Sequence, residues 1–398
     1  MTNLPQGWEV KKLEEIANIK GGKRLPKGKN LLDNNTKFAY IRVADFQDNG
    51  TINLQNIKFI NENTYNVLKN YKIYDDNLYI SIAGTIGKSG IIPKELNGAI
   101  LTENAVKLEY IQNNISNKFM YFFTLSNIFK TQIQTSTKIV AQPKLAITRL
   151  KQIQIPLPPL KEQERIAGIL DESFAKIDES IKILEQDLLN LDELMQSALQ
   201  KAFNPLKDNA KENYKLPQSW EWKSLEEISE NISAGGDKPK NCTESKTAKN
   251  QIPVYANGVN NNGLVGYTDK ATIIKPSLTI SARGTIGFVC IRKEPYFPIV
   301  RLISLIPCEN ILCLHYLYFC LNFFIAKGEG SSIPQLTIPK FKSLQIPLPP
   351  LKEQEQIAEH LDFVFEKAKA LKELYTKELK DYEELKQSLL NKAFKGEL

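Results

Sequence analysis

Between positions 160 and 203 apolar side chains return at alternating steps of four and three: Ile177, Ile181, Leu184, Leu188, Leu191 and Met195, then Ala198 and Ala202. That spacing predicts a long helix with a coiled-coil seam. Pro158 and Pro159 precede it, Glu162 and Glu164 stand in its first turn, where the helix dipole favours acids, and Gly168 is its one glycine. At about 1.5 Å per residue such a helix is a rod of roughly 65 Å, too long for the surface of one small domain. A second helical pattern, from about Lys352 to Phe394, keeps Phe365, Ala368, Tyr375, Leu379, Tyr382, Leu389 and Ala393 at the equivalent places. Lys372 and Lys386 interrupt it, while Leu371, Leu374 and Leu385 widen the stripe, so its seam is expected to be shifted or broader.

The remaining segments mix the two periods. YIRVADF at 40–46, NLYISIAGTIGKSGII at 77–92 and AVKLEYI at 105–111 read as strands, and SNKFMYFFTLSNIFKTQI at 116–133 reads as a helix. IPVYANG, SLTISARGTIGFVCI, VRLISLI and LHYLYFCLNFFIAKG follow in the same order further along. Each segment is therefore expected to be mixed α/β.

The recurrence is wholesale. LPQGWEVKKLEEI at 4–16 is echoed by LPQSWEWKSLEEI at 216–228, GTIG at 84–87 by 284–287, QIPLPPLKEQE at 154–164 by the same eleven residues at 345–355, and QSALQKAF at 196–203 by QSLLNKAF at 387–394. Two copies of one plan make up nearly the whole chain. The offset between copies falls from 212 to 200 to 191 across the mixed segments and then holds at 191 to the closing KAF. Insertions and deletions are confined to the mixed segments, which suggests variable readers, while the helical segments match in length and suggest a ruler. IPLPP then serves as a rigid extended exit from each globular part and KEQE as the start of each rod. The rival reading of Pro156-x-x-Pro159-x-Lys161 as a peptide ligand fits a doubled stretch between strand and helix less well.

Charge sharpens this division. Lys and Arg minus Asp and Glu give +9 over 1–151, −5 over 152–203, +5 over 204–344 and −2 over 345–398, within a total of +7. Basic globular parts alternating with acidic helical ones point to nucleic acid as the partner of the former. IKGGKRLPKGKN at 19–30 sets Lys20, Lys23, Arg24, Lys27 and Lys29 around Gly and Pro, a loop suited to phosphates, and its counterpart ISAGGDKPKN keeps both glycines with Lys238 and Lys240. Donors and acceptors for base edges are available on Arg42, on Arg283 beside the second GTIG, and on Asn257, Asn260, Asn261 and Asn262. Lys138, Gln142 and Lys144 in the first copy, and Gln335 in the second, occupy a polar approach to each joint.

Lys88 follows the first GTIG and is a further DNA-binding candidate, but the segment is no phosphate loop. Ile82 stands where the first glycine of that motif must be, and the second copy reads Gly287-Phe288-Val289. A tight turn between two strands is expected instead.

Catalytic signatures are missing from the chain: it has no Asn-Pro-Pro-Tyr or Asp-Pro-Pro-Tyr, no Gly-x-Ser-x-Gly and no His-Glu-x-x-His. Five scattered cysteines and two histidines lack zinc spacing, and an odd count argues against a disulfide framework. No run of eighteen apolar residues and no signal-type opening occur, so a cytoplasmic protein is expected, with no membrane contact.

With LPQGWEVKKLEEI and LPQSWEWKSLEEI, a GTIG in each half, and IPLPPLKEQERIA and IPLPPLKEQEQIA leading into long helices, the chain resembles the DNA-specificity subunit of type I restriction–modification systems. The resemblance covers essentially all 398 residues. It implies an α/β fold of mixed α+β type, with target-recognition domains at 1–153 and 205–344 and helical spacers at 154–204 and 345–398. The spacers would form an antiparallel coiled coil about an internal pseudo-two-fold axis. Each domain would read half of a split double-stranded DNA site and the helices would fix the gap.

The resemblance also implies partners: two DNA methyltransferase subunits using S-adenosylmethionine, and restriction and translocase subunits using ATP and Mg. This chain itself would bind no cofactor and no metal and catalyse nothing. The competing expectations are a DNA-binding coiled-coil scaffold without sequence preference, and a methyltransferase or nuclease with an unrecognised motif.

Overall fold

The computed structural model describes residues 4–136, 144–203, 217–325 and 336–398; the candidates Lys138, Gln142 and Gln335 lie outside them. The chain forms two compact units, Met1–Leu184 with Lys377–Leu398, and Glu185–Thr376. Each holds one globular domain and part of each long helix, Leu160–Phe203 and Leu351–Ala393.

In the first unit, strands Ala17–Gly21, Ala105–Tyr110, Leu78–Ser81 and Ser89–Ile91 form an antiparallel sheet in that order. A second sheet orders Lys58–Phe59, Ala39–Ile41, Ala99–Leu101 and Lys72–Ile73, its central pair parallel. The second unit repeats the plan with Ser229–Ala234, Ile303–Pro307, Ser277–Ile280 and Val289–Arg292, and with Leu264–Thr268, Ile252–Tyr255 and Phe297–Pro298. The GTIG segments are tight turns between adjacent strands. Gly84 and Gly87 sit at φ of 76° and 88°, and Gly284 and Gly287 at 69° and 82°, a backbone that side chains oppose.

The sequence pattern needs amending in places. The expected helix over 116–133 is two, Asn117–Leu125 and Asn127–Ser136. Buried Ser126 parts them: its hydroxyl donates to the Phe123 carbonyl and accepts from the Phe129 amide. YIRVADF is a short strand that gives way to a 3-10 turn at Val43–Asp45.

The repeated eleven residues build the same joint twice. Gln154–Leu157 is a strand pairing antiparallel with Glu9–Lys12, and Gln345–Leu348 pairs with Glu221–Ser224. The following Gln163 is buried, accepts the Ser116 amide (2.9 Å) and donates to the carbonyls of Asn114 (3.1 Å) and Pro158 (2.8 Å). Gln354 does the same with Cys313 N (2.9 Å), Ile311 O (2.9 Å) and Pro349 O (2.8 Å). A buried amide whose partners are main-chain groups at the start of a domain helix fixes the rod to its domain.

The far end of each helix enters a domain core. In the first unit Phe394 packs with Phe119 and Phe123, ring centroids 5.1 and 5.5 Å apart. In the second, Phe203 packs edge-on with Tyr316 at 5.4 Å. The two KAF endings are therefore core residues.

Within each unit the helix segments run antiparallel. In the first, Arg165 bonds to the Leu398 carbonyl and Asp178 pairs with Lys386; in the second, Asp192 pairs with Lys372 while Leu199 and Leu361 share a core. Ile177, Leu184 and Leu191 are buried, and Ile181, Leu188, Met195, Phe365, Tyr375, Leu379, Tyr382 and Leu389 are half-buried. The second seam is neither shifted nor broadened: Lys372 and Lys386 occupy it, whereas Leu371, Leu374 and Leu385 are exposed. A lysine can do this because its four-carbon stem covers apolar surface while the ammonium reaches an acid at the seam edge. The two pairs lie fourteen residues apart on both helices, two heptads of one register. Lys386 also sits 5.7 Å from the Phe174 ring centre.

Among the described residues no helix is long and apolar enough to cross a membrane, and no cluster of His, Cys, Asp and Glu could hold a metal.

Candidate nucleic-acid interface

In the first domain the basic loop starts where the strand Ala17–Gly21 ends. The Gly22 amide donates to Ala105 O (3.0 Å) and the Lys23 amide to Leu101 O (2.9 Å), so the loop is laid against the turn Thr102–Asn104. A Cβ on Gly22 would stand 2.1 Å from the Thr102 oxygen, which explains the glycine. The Tyr40 hydroxyl holds the Lys23 carbonyl at 2.8 Å. On the other flank of the turn, Asn104 O accepts the Ile82 amide (2.8 Å), and Ala83 bridges to Lys144. The basic loop, the Thr102–Asn104 turn, the GTIG turn and Lys144 are thereby brought together.

Four of this domain's candidate cations already have acids. Arg24 pairs with Glu103 (2.6 Å), Lys20 with Glu109 (2.5 Å) and Lys88 with Asp48 (2.8 Å). Arg42 places its guanidinium on buried Asp45 and on the Asn56 carbonyl (3.0 Å), where it ties two loops together. Burial pushes the Glu103 carboxyl up, but the Arg24 hydrogen bond, its own backbone and Thr102 outweigh that and hold it below the usual range. Glu109 behaves likewise, with Lys107 and Lys20 overcoming burial. Lys23, Lys27, Lys29 and Lys144 are exposed, and among the described residues no ion pair involves them.

The second domain brings its candidates together through one chain of hydrogen bonds. The loop of Gly235 and Gly236, which leads to exposed Lys238 and Lys240, accepts the amides of Arg301 and Val300 at 2.8 Å each. The Asn257 amide donates to Val300 O (2.6 Å), and its oxygen accepts the Ala282 amide (2.8 Å). The Gly258 amide bonds to Ser281 Oγ (3.2 Å), next to Arg283 and the GTIG turn. Asn257 thus works by bracing three loops. Asn260, Asn261 and Asn262 are exposed in a short 3-10 turn, the last two in left-handed backbone at φ of 48° and 51°.

Several contributors escaped the sequence reading. Arg292 lies 3.5 Å from the centre of the Tyr255 ring and donates to Thr279 Oγ1 (3.0 Å) and the Asn262 carbonyl (2.5 Å), so it carries the asparagine turn. Nothing in its strand-like surroundings marks it. Val300 and Arg301 read as the start of a strand, VRLISLI, but the strand begins at Ile303 and both residues take left-handed φ of 55° and 60°. Sequence signals for that conformation are glycine and asparagine, and neither stands there. Glu103, which neutralises Arg24, also went unremarked.

Exposed cations on glycine-built loops, next to amide-rich turns braced from behind, can meet phosphates and offer base-edge donors. Residues 5–188 and 217–380 match the family described as type I restriction modification DNA specificity domain. A Mycoplasma pneumoniae protein named as type I specificity subunit S.MpnORF507P is 29% identical over 357 residues, covering 88% of this chain and 87% of its own length. Two solved chains share the fold at 20% identity. One, from a study of complex assembly and conformational transition of the type I R-M system, has a TM-score of 0.81 with complete coverage of both chains. The other, the HsdS subunit from Thermoanaerobacter tengcongensis, has a TM-score of 0.61 and covers 100% of this chain and 98% of its own.

Proposed function

The chain belongs to the family of type I restriction–modification DNA specificity subunits, and from that premise we propose that its two domains each read one half of a split DNA site while the paired helices set the gap between halves. The observation that carries this reading is the doubling itself. One scaffold, joined to its helices by identical contacts around Gln163 and Gln354, presents two differently charged sets of loops. Different loops on matched scaffolds suit two different half-sequences.

In this reading the chain is a non-catalytic guide in the cytoplasm. Two methyltransferase subunits assembled on it supply S-adenosylmethionine chemistry and extrude the target adenine into their own pockets. Restriction and translocase subunits bring ATP and Mg. The domains correspond to residues 1–153 and 205–344, and the spacers to 154–204 and 345–398. Lys23, Lys27, Lys29, Lys144, Lys238 and Lys240 are the phosphate contacts, placing the duplex without reading it.

The test is base-resolution mapping of N6-methyladenine in cells expressing the methyltransferase with and without this chain. A split motif that appears only with the chain is expected. Methylation independent of the chain contradicts the proposal.

A further inference from the structure

Resting on that reading and deepening it, we propose that Arg301 is the residue through which the second domain reads a guanine of its half-site. The chain has seven arginines, all within the described residues. Arg24, Arg42 and Arg165 are paired with carboxylates, Arg292 is stacked on Tyr255, and Arg149 and Arg283 also have partners. Among the described residues Arg301 alone is an arginine whose side chain has none, and it is exposed. A guanidinium fork without a protein partner, held at the surface of a DNA-reading domain, matches the O6 and N7 acceptors of guanine in the major groove.

The backbone under Arg301 is built for presentation. Val300 and Arg301 are consecutive non-glycine residues at positive φ, and a β-branched residue in that region is a true outlier. Such strain persists only where the surroundings over-determine it. Here they do: the amides of both residues are bonded to the Gly235–Gly236 loop, the Val300 carbonyl is held by Asn257, and Asn257 is held in turn by Ala282. A Cβ on Gly235 would come 2.6 Å from Ile299 N, so the loop seats against this turn only as glycine. The phosphate-suited Lys238 and Lys240 lie on the same loop. The turn is thus fixed before DNA arrives, a condition for reading bases rather than merely attracting charge.

The matched turn of the first domain shows what a different choice looks like. The amides of Thr102 and Ile299 bond to the preceding parallel strand at Ile41 O and Tyr255 O, and Gly22 and Gly235 bond to Ala105 O and Leu302 O. This register places Asn104 where the second domain has Arg301, and Glu103 where it has Val300. The first turn therefore carries an acid that occupies Arg24, and the second carries a cation with no partner among the described residues.

The experiment selects randomised duplex DNA with the full chain assembled with its methyltransferase subunits, comparing wild type with Arg301→Asn and Arg301→Lys. Asparagine tolerates left-handed backbone, so the first variant keeps the turn and removes the fork. The lysine variant keeps the charge without the fork. Both are expected to lose about ten- to hundredfold preference for guanine at one position of the second half-site, with the first half-site and the gap unchanged. Uniform loss of affinity for all sequences with Arg301→Asn, restored by Arg301→Lys, would make the residue a phosphate contact and overturn the assignment. Unchanged selection by both variants overturns it as well. If wild type selects no split motif, the specificity reading itself fails and the assignment with it.

Discussion

The two domains are alike where they meet the helices and unlike where they face outward. At the joints, Gln163 and Gln354 make the same three main-chain hydrogen bonds, the strands Gln154–Leu157 and Gln345–Leu348 have the same kind of partner, and Phe394 and Phe203 enter aromatic cores. At the loops, the first domain offsets Arg24, Arg42 and Lys88 with Glu103, Asp45 and Asp48, whereas the second carries Arg301, which has no ion pair among the described residues, and a run of exposed asparagines. Buried polar contacts leave little freedom for change, because a partner removed is a group left without a bond. Exposed loops carry no such penalty, so chemistry varies there while geometry stays.

If the joints are built alike, paired substitutions in them should cost alike. Phe394→Ala and Phe203→Ala have the largest expected effects, each about 3–5 kcal/mol by loss of a core aromatic. Urea unfolding followed separately in the two units should show each loss in its own unit, and a large difference between them would break the equivalence. Gln163→Leu and Gln354→Leu come next, at about 2–4 kcal/mol, since each strands one buried amide and leaves two carbonyls short of a donor. Similar midpoint shifts for the pair are expected; a neutral result for either would remove the joint from the account. Lys386→Met tests the seam and should change stability by about 1 kcal/mol or less, neutral or favourable, because an apolar stem there needs no carboxylate partner. A loss well beyond that would mean that the Asp178 pair, rather than the stem, holds the seam. Smallest of all, Lys27→Ala and Lys238→Ala should leave stability within about 0.5 kcal/mol while weakening DNA binding across all sequences.

How much of this was legible in the sequence depends on what sets each feature. The repeat, the hairpins around GTIG and the long helices follow from local pattern and turn chemistry, which the chain states outright. The seam lysines were misjudged because a stripe counted by residue type scores lysine as polar, although its stem is apolar. The break at Ser126 depends on one hydroxyl competing for main-chain groups, and nothing in the surrounding aromatic run announces it. Gln163 and Gln354 lay inside the most visible repeat, yet their role needs main-chain partners some fifty and forty residues back, at Asn114 and Ile311. Arg42 shows the opposite case: its side-chain type suits DNA, but the structure gives its fork to Asp45. Val300 and Arg301 are imposed by hydrogen bonds from two other loops, at Gly235–Gly236 and Asn257, a tertiary effect that local propensity cannot signal.

The most direct test of readers held by a ruler is to shorten the ruler in register. Removing 181–187 from the first long helix together with 377–383 from the second takes one heptad from each and preserves both the Asp178–Lys386 and Asp192–Lys372 pairs. Seven residues span about 10 Å, close to three base-pair rises, and a whole heptad turns the helix face by only about 20°. Mapping of N6-methyladenine in cells carrying the wild-type and the shortened chain should show both half-sequences unchanged and a gap smaller by about three base pairs, or no methylation at all. Altered half-sequences at an unaltered gap would contradict the account.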